Sequence, residues 1–357
     1  MTPCRPASDR LVARIAIAAS GGFAAFYTFY AAAPSVLGGT TISSGTRVGI
    51  MMLVVVAVQP LLLLGRRWIW KRRLAVMLAL TAMGVGSAIL PLAGHWPGSI
   101  LLGIGFGVFV VMSTVWVKEQ APAGQTGRAL GVYGFGSAAG GALGAPIGIY
   151  AAEHGGQLAV AVVGCSFALC ALIPAAQVTE RNSHPESAHE PAPPTVSSPA
   201  SEAGATSAMA AVSGSLLGHL FAVALYGAAL SSAGNTSGPW LPILTALAIQ
   251  GCLALGRLCG GHLSDRYPPL VMLLLAIVAL VLSAAGFAAA NSRLGLLAAA
   301  AATGFASGAA QTSALTAMMR RVRTPRATET SSAAWNIAFD GGLGLGALVA
   351  SWVSGQA

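Results

Sequence analysis

Apolar residues run along this chain in stretches of helical membrane length, parted by short segments that carry nearly all the charge. A bilayer core about 30 Å thick needs about 20 residues of helix to cross it. Eleven stretches meet that requirement, over 14–35, 48–65, 74–93, 97–117, 128–151, 157–177, 211–232, 240–260, 269–290, 294–317 and 328–353. Backbone groups cannot stay unpaired in lipid, so the runs are helices; barrel strands would be about half as long and would alternate. The predicted fold is an all-α polytopic transmembrane helical bundle. Between the sixth and seventh runs, Glu180–Ala208 turns to Pro, Ser, Ala and Glu. It has too little apolar surface to fold and reads as a linker. The chain therefore divides into a six-helix half (1–177), a flexible linker (178–210) and a five-helix half (211–357).

Composition agrees with this pattern. Of 357 residues, 55% are hydrophobic and 8% charged, too few charges for a water-facing surface. The 45 glycines follow no collagen period and suit closely packed membrane helices. The net charge of +9 raises nucleic acid as a partner, but the basic residues form no stripe with aromatics between them, and the lipid bilayer is the expected partner instead. All 19 Lys and Arg residues except Arg47 and Arg293 fall on one side when the N-terminus is placed in the cytoplasm. That asymmetry predicts a cytoplasmic N-terminus in the plasma (inner) membrane. The apolar run from Ile15 to Leu37 is too long for a signal peptide and reads as a retained first span. The five cysteines show neither metal-ligand nor redox spacing.

One polar segment is more specific. Gly256-Arg257-Leu258-Cys259-Gly260-Gly261-His262-Leu263-Ser264-Asp265-Arg266 contains G-x-x-x-D-R, with Gly261, Asp265 and Arg266 in place. This resembles the loop after the second helix of a half in the major facilitator superfamily. The resemblance implies a cytoplasmic gate loop holding Arg257, Gly261, Asp265 and Arg266, in which Gly261 lets two helices close and Asp265 pairs with an Arg or a facing helix N-terminus. The bland alternative is a polar turn that only fixes topology. The matching first-half segment, Gly65–Arg73, has Ile69 where the family has Asp, so one inner latch is degenerate. The fourth span keeps Gly103, Gly105 and Gly107 but lacks the family's membrane Arg. In the fifth span, Gly131, Gly140, Gly144, Pro146 and Gly148 resemble an exporter motif, which implies efflux; close helix packing is the alternative. The family has twelve spans, so the twelfth is missing from the eleven counted here.

Asp340 is the acid placed deep in a span, where a charge costs on the order of 3 kcal/mol and is either neutralised or paired. It is the first candidate for proton coupling and His219 is the second, with helix packing the competing role for both. Tyr27, Tyr30, Gln59, Tyr226, Gln250, Gln311 and Asn336 are candidates to line a substrate cavity or to hydrogen-bond between helices. No Ser-His-Asp spacing, phosphate loop or His/Cys cluster is present, so no enzyme, cofactor or metal is expected. The expectation is a monomeric secondary transporter that moves a small organic molecule by alternating access, with proton-coupled efflux foremost. The rivals are an uptake carrier for a sugar or organic acid and a truncated, transport-inactive membrane protein.

Overall fold

A computed structural model describes residues 5–36, 41–64, 71–91, 96–179, 199–233, 240–322 and 324–356. These form α1 (Arg5–Val36), α2 (Thr41–Leu64), α3 (Arg72–Ile89), α4 (Trp96–Gln120), α5 (Thr126–Ala176), α6 (Pro199–Ala233), α7 (Leu241–Arg266), α8 (Pro269–Ala288), α9 (Arg293–Arg321) and α10 (Pro325–Gln356). The eleven expected spans become ten helices because α5 takes in two of them. It is broken at Gly156, where φ 60 and ψ −151 fall in a region open essentially only to glycine. Most other ends fall within a few residues of expectation. Two are corrections: α1 starts at Arg5, and α6 starts at Pro199, inside the stretch read as linker. Proline suits the first helical position and the alanines after it are the strongest helix formers, so residues 199–210 extend the helix beyond its apolar run. Residues 180–198 of that stretch lie outside the described residues.

The same set of neighbours occurs twice along the chain. Helix α1 lies along α5 as α6 lies along α10, α2 along α4 as α7 along α9, and α3 along α4 as α8 along α9. Small residues make these approaches possible. A Cβ on Gly136, Gly140, Gly144 or Gly148 would fall on the carbonyl oxygen of Ala16, Ser20, Ala24 or Thr28, so one glycine stripe of α5 rests on the backbone of α1. In the other half Gly342 and Gly346 of α10 rest in the same way on α6 at Leu220 and Ala224. Among the described residues, eight helices are long and apolar enough to cross a membrane. The outer face of α8, with Leu274, Leu275, Val278 and Leu282 more than half exposed, suits lipid and would be insoluble in water.

Candidate functional site

The two halves touch first at the end of the bundle that carries the basic residues. Asp265, near the end of α7, accepts the backbone N–H groups of Gly127 (2.8 Å) and Arg128 (2.7 Å) in the first turn of α5. Those donors have no partner within their own helix, and the helix dipole favours a carboxylate there. Arg320, at the end of α9, adds an ion pair at 2.5 Å. The carboxylate can reach α5 because the helices meet backbone to backbone: a Cβ on Gly261 would collide with the Gly127 carbonyl and the Gly131 Cα. Asp265 thus makes both kinds of contact at once, with Arg320 as the cation. Arg266 is exposed and has no part in the pair.

A second contact between the halves lies at the same end. Arg72 of α3 pairs with Glu329 of α10 at 2.6 Å and with Glu119 of α4 at 3.1 Å. Lys118 donates to the Val322 carbonyl and the Thr328 hydroxyl, both at 2.8 Å. Residues 65–70 of the degenerate loop, Ile69 among them, lie outside the described residues.

Deeper in the bundle, a cavity of about 400 Å³ opens between the halves. Five of the expected polar residues line it, Tyr27 and Tyr30 from α1, Tyr226 from α6, Gln250 from α7 and Asn336 from α10, together with Asp340. Tyr226 donates to the Gln250 carbonyl oxygen at 2.8 Å. Gln59 of α2 stands behind the wall and donates across the halves to Asp340 at 3.4 Å. Gln311 is buried within α9, where its carbonyl oxygen accepts two bonds from Arg257. His219 is fully buried and stacked on the Trp335 ring at 4.4 Å, outside the cavity lining.

Arg257 is the main correction to the sequence reading. Placed among the cytoplasmic charges and in the gate loop, it lies two helical turns before Asp265, is 6% exposed, and forms part of the cavity wall. Its stem covers Gly134 of α5, where there is no side chain to exclude it. Sequence reasoning named Tyr27 and Tyr30 but missed the phenylalanines of the aromatic wall. Phe23, Phe26, Tyr27 and Tyr30 follow helical spacing on one face of α1, and Phe26 stacks on Phe106 with centroids 3.8 Å apart. That spacing was a usable signal. The contribution of Trp335 and Phe339 from α10 had none, because it depends on how the halves close. Of the exporter-like set, Gly140, Gly144 and Gly148 belong to the α1 seam, Gly131 meets α7, and Pro146 is exposed on α5 away from both.

The sequence matches the model of the Major Facilitator Superfamily over residues 15–347. The chain belongs to that superfamily. It is a multi-pass integral membrane protein of a transporter family and not an enzyme. No curated protein matches it in sequence. Similar solved structures include a Major Facilitator Superfamily transporter, FucP, in the outward conformation, with TM-score 0.71, 14% identity, and 98% of this chain and 92% of that one covered. A variant of the E. coli fucose:proton symporter FucP gives 0.66, 13%, 98% and 92%. The human organic anion transporter MFSD10 (TETRAN) gives 0.71, 15%, 99% and 94%. At such identities the likeness establishes the fold these proteins share.

Proposed function

We propose that this protein carries a small organic molecule across the membrane by alternating access, with proton movement coupled through Asp340. The observation that supports this most is the position of Asp340: it faces the cavity from α10 and takes a hydrogen bond from Gln59 of α2, in the other half. A charged acceptor makes the stronger bond, so loading a proton on Asp340 weakens a contact that spans the halves. Protonation is then felt by the element that must move. The cavity and the two sets of contacts at the basic end favour a working carrier over an inactive remnant. On the positive-inside rule we read the basic end as cytoplasmic, with the N-terminus inside and this side closed, and we assign the protein to the inner membrane. One chain supplies the whole cavity, so a monomer suffices.

Export is the direction we assign, on the likeness of the α5 glycine and proline pattern to that of exporters. Uptake of a sugar or organic acid is the second reading. It is favoured by the fold shared with a fucose:proton symporter and by the fact that packing on α1 accounts for most of those glycines. In proteoliposomes with an imposed pH gradient, Asp340→Asn should abolish gradient-driven movement of a transported compound and leave exchange without a gradient largely intact. Gradient-driven movement that persists in the variant makes Asp340 a packing residue. Loss of exchange as well places it in substrate binding. The same assay on inside-out and right-side-out vesicles decides direction.

A further inference from the structure

Among the described residues, the Arg257 guanidinium is bound only by neutral groups. Nε and Nη2 donate to the Gln311 carbonyl oxygen at 3.1 and 2.6 Å, and Nη1 donates to the Ser137 hydroxyl at 2.8 Å and the Gly134 carbonyl at 3.2 Å. The Phe339 ring lies 5.7 Å from its central carbon. Among the described residues no carboxylate forms an ion pair with it, and Asp340, across the same cavity, is bonded to Gln59 instead. A cation so buried is stable only when its charge is compensated, and dipoles compensate it in part. The cavity supplies the remaining space: among the described residues one Nη2 hydrogen has no acceptor, and the cavity that Arg257 lines is walled mostly by apolar and aromatic side chains, Phe23, Phe26 and Phe106 among them. Ser137 and Gly134 belong to α5, in the other half, so Arg257 also ties the halves together at mid-depth.

We propose that Arg257 anchors the anionic head of an amphiphilic organic anion, a carboxylate or similar monoanion on an aromatic or apolar body. Binding exchanges the Ser137 and Gly134 contacts for the ligand. A guanidinium fork fits a carboxylate with two parallel bonds, and no neutral head group matches both its charge and its geometry. The exchange frees α7 from α5 at the depth where the halves must separate. This rests on the carrier reading above and names the class of its substrate.

The test uses a matched pair of equal size, 1-naphthaleneacetate and its neutral amide, binding to purified full-length protein in nanodiscs. The acid is expected to bind at least about tenfold more tightly than the amide. Arg257→Gln should remove that preference, and Arg257→Lys should restore part of it, with thermal melting of each variant reporting that it is folded. Ser137→Ala should tighten acid binding by about fivefold, because one neutral hydrogen bond that competes for the guanidinium is gone. Equal affinity for acid and amide, absence of binding by either included, overturns the anionic class. An acid preference that survives Arg257→Gln overturns Arg257 as its anchor. If Ser137→Ala leaves acid affinity unchanged, the exchange is wrong. Counterflow in proteoliposomes separates this from the carrier reading: selective acid binding without counterflow defeats the carrier, whereas equal counterflow of acid and amide defeats only the anion site.

Discussion

The basic end of the bundle is closed at two places by different means. At the α5–α7 contact one carboxylate, Asp265, does most of the work, and it depends on a close backbone approach that Gly127, Gly131 and Gly261 permit. At the α3–α4–α10 contact, long side chains span the gap: Arg72 reaches Glu329, and Lys118 reaches Thr328 and the Val322 carbonyl. The helix pairings that build the halves are repeated, so the two contacts occupy corresponding places. Their difference shows that closure constrains the position of charge near a helix start more than the residue that supplies it. In one case an acid from the other half meets the bare N–H groups of α5. In the other an acid already in the second turn of α10 draws a cation from the other half.

If that contrast is sound, steric change should hurt the first contact most. Gly261→Leu would put a side chain where the Gly127 carbonyl and the Gly131 Cα now lie, and rigid backbone cannot yield to it. Closure at the basic end should be lost. Spin labels on the first turn of α5 and the last turn of α7 would report the separation, and an unchanged distance distribution would deny the close approach its role.

Electrostatic change comes next. Asp265→Ala removes the two charge-assisted bonds that join α7 to the start of α5, and should weaken closure by about 3 kcal/mol. The same labels should shift toward the open population while membrane insertion is unchanged. Transport that stays at the parent rate would reduce the loop to a topological signal.

The smallest effect is expected at the second contact, where several bonds share the load. Glu329→Gln leaves Arg72 with Glu119, and Lys118 with both of its acceptors, so closure should weaken by only about 1 to 2 kcal/mol. Exchanging the pair, Arg72→Glu with Glu329→Arg, should restore part of the loss. A Glu329→Gln defect larger than that of Asp265→Ala would reverse the ranking of the two contacts.

Much of the fold could be read from the sequence because hydrocarbon leaves the backbone one solution, and a run such as 269–290 can only be a helix there. The Asp265 contact was legible in a different way, through the resemblance of Gly261, Asp265 and Arg266 to a family loop, which implied an Arg or a facing helix N-terminus as its partner. Helix α5 was read as two spans, and its break at Gly156 falls in the gap between them. Arg257 was misplaced because a charge near the end of an apolar run normally turns to water. The carbonyl of Gly134, the Ser137 hydroxyl and the side-chain amide oxygen of Gln311, distant in sequence by 123, 120 and 54 residues, hold it inside.

The sequence alone determined that the chain is a membrane helical bundle, where its positive charge gathers along the chain, and the acid at position 340. These follow from local composition and the cost of moving polar groups into lipid, which each segment meets on its own. Only the tertiary structure decided which polar groups share a space. The cavity wall is drawn from helices at opposite ends of the chain, and the second contact at the basic end draws on three helices. Such meetings depend on the packing of small residues at every seam at once, and no single segment carries that information.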